Sequence, residues 1–473
     1  MRQTRPDLDV VFFPRSIAVV GASSDMAKSG AKWVVGLQAA GFRGHVYPVS
    51  SHGGTVAGLN IHTSLASIED DIDYVIASVP VHSALSVVEE CIEKRVKVVQ
   101  FFTAGFRETG KADAVSLEEQ MVRLASSAGL RIIGPNCIGV CCPESRIPLG
   151  PSPLGKLGTQ GNVSFISQSG GMAAKLVEYG IARHLDYSKG ASIGNSIDLD
   201  AADFLEYLAG DASTHYLGLY MEGTSDARRF FNALRNVARI KPTVVLKGGR
   251  TEEGAAAARS HTGSLAAPAP IWSSMLRQAR AIEATNLEEL TDCLLLLQKV
   301  GPTRARNIAI VGGLADGGGG ISVSGSDACA DNGLCVPELA QGTADRLRTL
   351  IGEVGSILRN PVDVSPAQFR GLDVLYESIR LVASDPNVEL LIVQEDVDIM
   401  LSYMGESGTD HINDFLSRLP EEGRKSLIMV MPHGSCESRR LEAVEYLQAA
   451  GIPVYPTVSR AARAISLVSH RPT

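Results

Sequence analysis

The sequence has 473 residues, of which 47 are glycine, 45% are hydrophobic and 5% are aromatic. This length suggests about three domains with cores of their own, and the low aromatic content favours parallel sheets covered by helices over an aromatic-rich sandwich. The net charge of -8 argues against a nucleic acid or an anionic membrane as a partner, since both bind basic surfaces.

Neither export nor a membrane span is expected from this sequence. No apolar run approaches the roughly 20 residues needed to cross a bilayer, and the first residues lack an apolar signal core. Eight cysteines in a chain of this length do not form a disulfide framework. Three of them, Cys137, Cys141 and Cys142, are spaced too irregularly for a metal site and are interpreted as structural. We therefore expect a cytoplasmic protein without a bound metal.

Short apolar runs alternate with helical stretches through the first third of the chain. The strands predicted there are 16–20, 45–50, 73–80, 96–102 and 131–136. Strands that alternate with helices of 10–15 residues indicate βαβ units and a parallel sheet. This pattern predicts a first α/β domain over residues 1–149.

Two further units have the same alternation. A turn-rich stretch, 150–158, predicts a boundary, after which a second domain is expected over 150–302 and a third over 303–473. The strands predicted in these two units are 161–167, 216–221, 243–247, 307–313, 389–394, 426–431 and 452–455. The three units share an order of elements but no residue-level repeat, so we predict analogous folds.

The first predicted strand ends in a glycine turn, Gly21-Ala22-Ser23. Such a turn brings amide groups and a helix N-terminus toward a phosphate. The turn is not the tight Gly-x-Gly-x-x-Gly of a dinucleotide site, and the second strand does not end in an acid, so NAD is disfavoured. A phosphate-bearing nucleotide ligand and a plain strand–helix turn both remain open. Pro80 and Asn136 also follow strands and are expected at the same carboxyl edge of the sheet.

A second glycine turn, Ser167-Gln-Ser169-Gly170-Gly171, lies between a predicted strand and a predicted helix. Two hydroxyls and two unhindered amides at a helix start favour an oxyanion or phosphate. An ordinary helix cap is the alternative.

His261 stands in a loop of small residues, and Glu222 follows a predicted strand of the same unit. Imidazole suits a general base, a metal ligand or a nucleophile toward phosphorus. The metal role is weak because no second ligand residue lies at the right spacing. Glu222 could fix the tautomer of an imidazole by accepting a hydrogen bond from one of its nitrogens. For each residue, a plain surface position is the alternative.

Taken in chain order, these motifs resemble the NDP-forming acyl-CoA synthetases, a family related to the succinyl-CoA synthetase α subunit. The resemblance covers roughly residues 12–465. The segments that carry it are Phe13–Ser23, Val46–Val49, Thr103–Phe106 and Gly134–Gly139 for the CoA-binding domain, Ser167–Gly171, Glu222 and Ser260–Leu265 for the second domain, and Asn360–Asp363 and Gly451–Thr457 for the third.

The resemblance implies a Rossmann-like CoA-binding domain followed by two flavodoxin-like parallel-sheet domains. It also implies an ADP-forming acid–CoA ligase that works through an acyl phosphate and a phosphohistidine. By position, His261 matches the phosphorylated histidine and Glu222 the carboxylate that orients it. The phosphate-site matches are Ser167, Ser169, Gly170 and Gly171, and the CoA-site matches are Gly21, Ala22, Ser23, Pro80 and Asn136.

Two departures from the family pattern shape what the resemblance implies. The family often has a lysine after the Tyr-Pro-Val strand, where this chain has Ser50-Ser-His-Gly-Gly54, so Lys28 and Arg43 are the candidates for holding the CoA phosphates. No segment resembles the ATP-grasp domain of fused family members. The resemblance therefore implies an α subunit whose separate β subunit binds ATP or ADP with Mg²⁺, in a hetero-oligomer.

Two other classes of function are weighed beside this one. A non-catalytic sensor of CoA or acyl-CoA would bind CoA without being phosphorylated. An NAD-linked oxidoreductase rests on the first βαβ unit alone and lacks the expected strand-end acid.

Overall fold

The computed structural model describes residues 8–152, 158–256, 268–312, 319–352, 358–364, 372–404 and 426–470. Within these ranges the chain divides into two compact units, one holding the first two large sheets and one holding the third. No helix in these ranges is long and apolar enough to cross a membrane.

The first sheet is wholly parallel. Its strands and the helices of this region are α1 (Asp9–Phe12), β1 (Ser16–Val20), α2 (Ser29–Ala40), β2 (His45–Val49), β5 (Tyr74–Ala77), α3 (Ala84–Glu93), β6 (Val98–Phe101), α4 (Ala112–Ala128) and β7 (Arg131–Ile133). A small hairpin, β3 (Thr55–Val56) and β4 (Leu59–Asn60), follows β2. The strand order is β2-β1-β5-β6-β7, so the direction of winding reverses between β1 and β5. Such a reversal leaves a crevice outside the carboxyl ends of these two strands.

The second sheet repeats this order and adds one antiparallel strand. Its elements are β8 (Gly139–Cys141), β9 (Gln160–Ser167), α5 (Gly170–Ala182), β10 (Tyr187–Ser192), α6 (Ala201–Gly210), β11 (Tyr216–Met221), α7 (Ala227–Ile240), β12 (Thr243–Lys247), α8 (Ala269–Ala279) and β13 (Ile282–Ala284). The order is β13-β12-β11-β9-β10-β8, and β8 runs antiparallel to β10. The reversal here lies between β9 and β11.

Strand β10 escaped prediction because its sequence, Tyr-Ser-Lys-Gly-Ala-Ser, contains a lysine and few apolar residues. All six residues are nevertheless buried. Lys189 is 1% exposed and is neutralised by Asp211, with its Nζ 3.0 Å from both carboxylate oxygens. A charge pair formed on folding thus allows a polar segment to lie inside the sheet.

The third sheet belongs to the second compact unit. Its elements are α9 (Leu287–Lys299), β14 (Ile308–Gly312), α10 (Gly319–Asp331), α11 (Gln341–Ile351), β15 (Val362–Asp363), α12 (Leu372–Ala383), β16 (Leu390–Gln394), α13 (Val397–Met404), β17 (Leu427–Val430), α14 (Glu437–Ala449), β18 (Val454–Tyr455) and α15 (Val458–Ser469). The strands are parallel in the order β15-β14-β16-β17-β18. The predicted fold class, α/β with parallel sheets in several domains, is confirmed. The boundaries at 149/150 and 302/303 stay predictions, and β8, placed before the first of them, pairs with the second sheet.

A short segment after β10 ties the second sheet to the first. The amide of Asn195 donates to Pro135 O at 2.9 Å, that of Ile197 to Gly134 O at 3.1 Å, and that of Leu199 to Ile132 O at 3.1 Å. Segment 195–199 therefore runs antiparallel along β7 and its continuation. One hydrophobic core contains buried side chains of both sheets, so the two sheets form one packed body.

Candidate functional site

The crevice of the first sheet is shaped by two glycines. Gly21, after β1, has φ +91°, and a Cβ there would lie 2.2 Å from Ser78 O. Gly30, in the first turn of α2, leaves room for the backbone of that turn, since its Cβ would lie 2.0 Å from Gly21 O. No side chain fits at either position. The N-terminus of α2 is therefore pressed against the turn, at the point where a phosphate group can meet helix amides.

The amides of the glycine turn itself face away from such a ligand. Gly21 N and Ala22 N both donate to Val49 O, at 3.0 and 3.1 Å. Ser23 Oγ accepts from Asp25 N at 3.1 Å. The donors for a phosphate must then come mainly from the first turn of α2, which begins at Ser29, because the first amides of a helix have no partner within the helix. The phosphate-binding role of this turn stays a prediction, and the direction of its amides is a feature that the sequence does not reveal.

The predicted residues Pro80 and Asn136 lie at the same edge of the first sheet. Thr103 connects their loops, because its Oγ1 donates to Val79 O and its carbonyl accepts from Asn136 N at 2.9 Å. Asn136 itself has φ +56°, in the left-handed region that asparagine tolerates. Three loops, after β5, β6 and β7, are thus hydrogen-bonded into one rim.

The two candidate cations for the CoA phosphates lie at opposite edges. Lys28 is exposed and immediately precedes α2, beside the crevice. Arg43 follows α2 and precedes β2, whose first residue, His45, is in register with Ser16 at the start of β1. A helix of 12 residues separates the two edges by about 18 Å. Of these two cations, Lys28 is the one that lies beside the crevice.

In the second sheet, the Ser167–Gly171 turn is stabilised by hydrogen bonds of its own serine side chains. Ser167 is fully buried, and its Oγ donates to Ser169 O at 2.7 Å. Ser169 Oγ accepts from Met172 N at 3.3 Å, which makes Ser169 the cap of α5. Among the residues that the structure describes, a Cβ on Gly171 would meet only Ser169 Oγ, at 3.9 Å, so there is space beside this glycine at the helix start. The turn is a helix cap, and it also leaves an open helix N-terminus of the kind that binds anions.

Glu222 follows β11 on the other side of the reversal, next to this turn. Gln168 joins the two, since its Oε1 accepts from the amides of Glu222 and Gly223. The Glu222 side chain is buried and its Oε1 accepts from the Tyr220 hydroxyl at 3.1 Å. Its Oε2 is buried as well, and among the described residues no donor reaches it. A buried acceptor without a donor is costly and calls for a partner.

Two residues around Glu222 were missed from the sequence. Tyr220 has a raised pKa because of burial and the neighbouring Glu222 charge. Lys247, 2% exposed, donates to Gly248 O and lies with its Nζ 5.4 Å from the centre of the Trp272 ring. Burial lowers the pKa of Lys247, while the charge of Glu222 raises it. Both residues sit inside apolar strand sequences, where nothing distinguishes them from core residues.

His261 lies outside the described residues. The chain that leads to it leaves the sheet after Lys247, whose partner in register is Met221, the residue before Glu222. This chain therefore departs from the same edge of the sheet as Glu222.

Three family models match the chain in succession. They are the CoA binding domain over residues 15–143, the succinyl-CoA ligase like flavodoxin domain over 160–297, and the ligase-CoA domain over 310–470.

Similar proteins match nearly the whole chain. The alpha subunit of Pyrococcus furiosus acetate–CoA ligase (ADP-forming) II is 34% identical, over 95% of this chain and 94% of that one. Acetate–CoA ligase (ADP-forming) I of Archaeoglobus fulgidus is 33% identical over 98% of this chain but only 63% of its own. The solved dinucleotide forming acetyl-coenzyme A synthetase 1 of Ca. Korarchaeum cryptofilum, in complex with phosphate and ADP, has 30% identity and a TM-score of 0.84, covering 98% of this chain and 96% of that one.

Proposed function

This chain belongs to the family of ADP-forming acyl-CoA ligases, and we propose that it is the α subunit of an enzyme that makes an acyl-CoA from a carboxylic acid, CoA and ATP. Relatives that it matches over almost their whole length are named alpha subunits of acetate–CoA ligases. The observation that carries the proposal is the buried Oε2 of Glu222, which lies beside the open N-terminus of α5 without a donor among the described residues. The non-catalytic sensor is not favoured, because it gives that carboxylate no role and the relatives are named as ligases.

In the proposed reaction, one phosphoryl group is transferred from ATP to His261 and then to the substrate carboxylate. The substrate carboxylate attacks phospho-His261, so that the P–N bond breaks and an acyl phosphate forms. The CoA thiolate then attacks the acyl carbon, the C–O bond to phosphate breaks, and phosphate leaves at the α5 N-terminus. ATP restores the phosphohistidine and leaves as ADP. The direction can reverse, since each step exchanges one high-energy bond for another.

Each predicted site residue has a part in this scheme. Glu222 accepts a hydrogen bond from one imidazole nitrogen, which fixes the tautomer and leaves the other nitrogen free to attack phosphorus. Gly170 and Gly171 offer amides to the phosphoryl oxygens. Ser167 and Ser169 stabilise the turn that carries these amides, through the bonds from Ser167 Oγ to Ser169 O and from Met172 N to Ser169 Oγ.

CoA is proposed to occupy the crevice of the first sheet. Its phosphates would lie against the N-terminus of α2, after the Gly21-Ala22-Ser23 turn, with Lys28 as their cation. The rim formed by the Pro80 and Asn136 loops would hold the remainder of the molecule. The crevice suits a phosphate group because its two glycines allow the backbone to come close.

A partner subunit is part of the proposal. The Archaeoglobus fulgidus relative is longer than this chain, which covers 63% of it, whereas the Pyrococcus furiosus relative is itself named a subunit. We infer that a separate β subunit with an ATP-grasp domain binds ATP or ADP and Mg²⁺. The cytoplasm is the proposed compartment, which agrees with eight unpaired cysteines, six of them buried. A small carboxylic acid is the proposed substrate.

Phosphorylation of His261 tests the proposal directly. The chain is incubated with ATP and its partner, or with acyl-CoA and labelled phosphate, and acid-labile phosphate on the protein is measured. We expect labelling of the wild type and its loss in His261→Ala. The matched control is His215→Ala, because His215 is an exposed histidine before β11, at the other edge of the same sheet. Equal labelling of His261→Ala and the wild type would refute the role of His261.

A further inference from the structure

Asn195 contacts two loops of the CoA rim at once. Its backbone amide donates to Pro135 O at 2.9 Å. Its side-chain Nδ2 donates to Glu108 Oε2 at 2.6 Å and to Glu118 Oε1 at 2.9 Å. Since ionised carboxylates only accept hydrogen bonds, these contacts also fix which way the amide points. All three N–H groups of Asn195 are thus used to hold the first sheet.

Glu108 and Glu118 in turn accept hydrogen bonds from the loop 103–108, which follows β6. Glu108 Oε1 accepts from Gly105 N at 2.6 Å and from Phe106 N at 3.1 Å. Glu118 lies on α4, is fully buried, and holds Arg107 through both its backbone amide and its guanidinium. The path of the 103–108 loop therefore depends on two carboxylates that Asn195 itself positions.

Burial raises the pKa of Glu108, but hydrogen bonds from Asn195 and from the amides of Gly105 and Phe106 outweigh it and keep that pKa low. The carboxyl group is therefore ionised at neutral pH, the state in which it accepts all of these bonds. Removal of Asn195 would leave Glu108 and Glu118 without the donor they share.

The segment just before Asn195 is hydrogen-bonded to the Ser167–Gly171 turn. Ile193 N donates to Ser167 O at 2.9 Å. Between them, Gly194 has no room for a side chain, since its Cβ would lie 2.2 Å from Pro135 O. Three successive residues, 193–195, thus connect the Ser167–Gly171 turn to the rim around Pro135, a span of at most about 10 Å of chain.

We propose that Asn195 is a positioning residue for CoA: it holds the 103–108 and 134–136 loops at a set distance from the Ser167–Gly171 turn. This inference rests on the proposed function, in which CoA lies in that rim and the acyl phosphate forms at that turn. The thiolate must reach the acyl carbon, so the alignment of the two sites matters for the CoA step. In the proposed scheme, phosphorylation of His261 by ATP involves the Ser167–Gly171 turn and Glu222 but not the bound CoA, so it should not depend on Asn195.

The test compares Asn195→Ala, Glu108→Ala and the double variant of the full-length chain. Affinity for CoA is measured by calorimetric titration, and acid-labile phosphate is measured after incubation with ATP and the partner subunit. The matched control is Asn162→Ala, because Asn162 lies near the start of β9, at the opposite edge of the second sheet. Glu108 is partly exposed, so Glu108→Ala should fold and can be tested for CoA affinity even if Asn195→Ala does not fold.

We expect each single variant to bind CoA about tenfold more weakly, as for the loss of a hydrogen bond to a charged group. The double variant should lose less affinity than the sum of the two single losses, because either change removes the same Asn195–Glu108 hydrogen bond. Phosphorylation should remain within about twofold of the wild type, and Asn162→Ala should match the wild type in both measurements.

Three results would overturn the role of Asn195. They are unchanged CoA affinity in the single variants, an additive loss in the double variant, and a loss of phosphorylation as large as the loss of CoA affinity. A wild-type chain that binds no CoA would instead refute the proposed function itself, and the role of Asn195 would fall with it.

Discussion

The buried carboxylate of Glu222 needs a hydrogen-bond donor for its second oxygen. Its Oε1 has the Tyr220 hydroxyl, whereas Oε2 is buried with no donor among the described residues. A buried charge with an unsatisfied oxygen lowers the stability of the fold. Such an arrangement is typical of functional sites, where stability is given up for chemistry.

The Glu222→Gln variant separates the effect of this carboxylate on stability from its effect on phosphorylation. Removal of the charge should leave the melting temperature nearly unchanged, because the loss of a buried charge without full pairing is offset by the loss of a charge that favours buried Lys247 in its protonated form. It should also slow phosphorylation about 10- to 100-fold, since hydrogen bonds to charged groups contribute about 1.5–3 kcal/mol. Acid-labile phosphate against time and a thermal melt measure the two quantities.

Tyr220→Phe is the control for Glu222→Gln, because it removes the donor to Oε1 and leaves the carboxylate in place. We expect it to keep most of the phosphorylation rate. If Glu222→Gln were phosphorylated as fast as the wild type, Glu222 would have no part in orienting the histidine.

At the scale of the element, the position of α2 depends on the absence of a side chain at Gly30. The helix begins at Ser29, and its second residue lies directly against the backbone of the turn at Gly21. The helix N-terminus is held at the crevice by this packing.

Gly30→Ala should displace α2. Its Cβ would lie 2.0 Å from a backbone oxygen, and overpacking of this kind costs about 1–3 kcal/mol. We expect a lower melting temperature together with weaker binding of CoA, measured by thermal melt and titration.

Gly342→Ala is the matched control, because Gly342 is the second residue of α11 and a Cβ there would meet no described residue within 4 Å. This change should be neutral or stabilise the protein by up to about 1 kcal/mol, as expected for alanine in a helix. If both variants had the same melting temperature and CoA affinity, the close approach at Gly30 would not matter.

At the scale of the whole molecule, acid should destabilise the fold. The Arg15 guanidinium lowers the pKa of Asp73, and hydrogen bonds or nearby cations lower the pKa of seven further carboxyl groups in the described residues: Glu108, Asp203, Asp211, Glu377, Glu389, Asp398 and Glu437. Burial raises the pKa of one, Asp200. Because the carboxyl groups with a lowered pKa outnumber the one with a raised pKa, acid should lower the stability of the fold on balance.

A carboxyl group with a lowered pKa stabilises the folded state above its unfolded pKa, and this contribution is lost as pH falls through the folded value. Since unfolded carboxyl groups titrate near about pH 4, the melting temperature should fall between about pH 5 and pH 3. Asp73→Asn should show a smaller fall than the wild type, because it takes up one proton fewer on unfolding in acid. Thermal melts at pH 7, 5 and 3 measure both curves, and parallel curves would contradict the role of Asp73.

The sequence alone determined the local features of this protein. Apolar runs and glycine turns predicted most strands, the three α/β units and the positions of the Gly21 and Ser167 motifs, because these signals depend on neighbouring residues. The motif order likewise indicated the family. Local patterns did not predict β10, whose Lys189 is polar in sequence and buried in the sheet.

Only the tertiary structure decided what lies beside each motif. Strand order places Glu222 next to the Ser167–Gly171 turn, sets Lys28 rather than Arg43 at the crevice of the first sheet, and brings Asn195 to Glu108, 87 positions earlier in the chain. Pairing between distant strands and contacts across a sheet edge are not encoded by any local pattern. They follow from the packing of the whole unit, in which buried carboxylates and amides must find partners far along the chain.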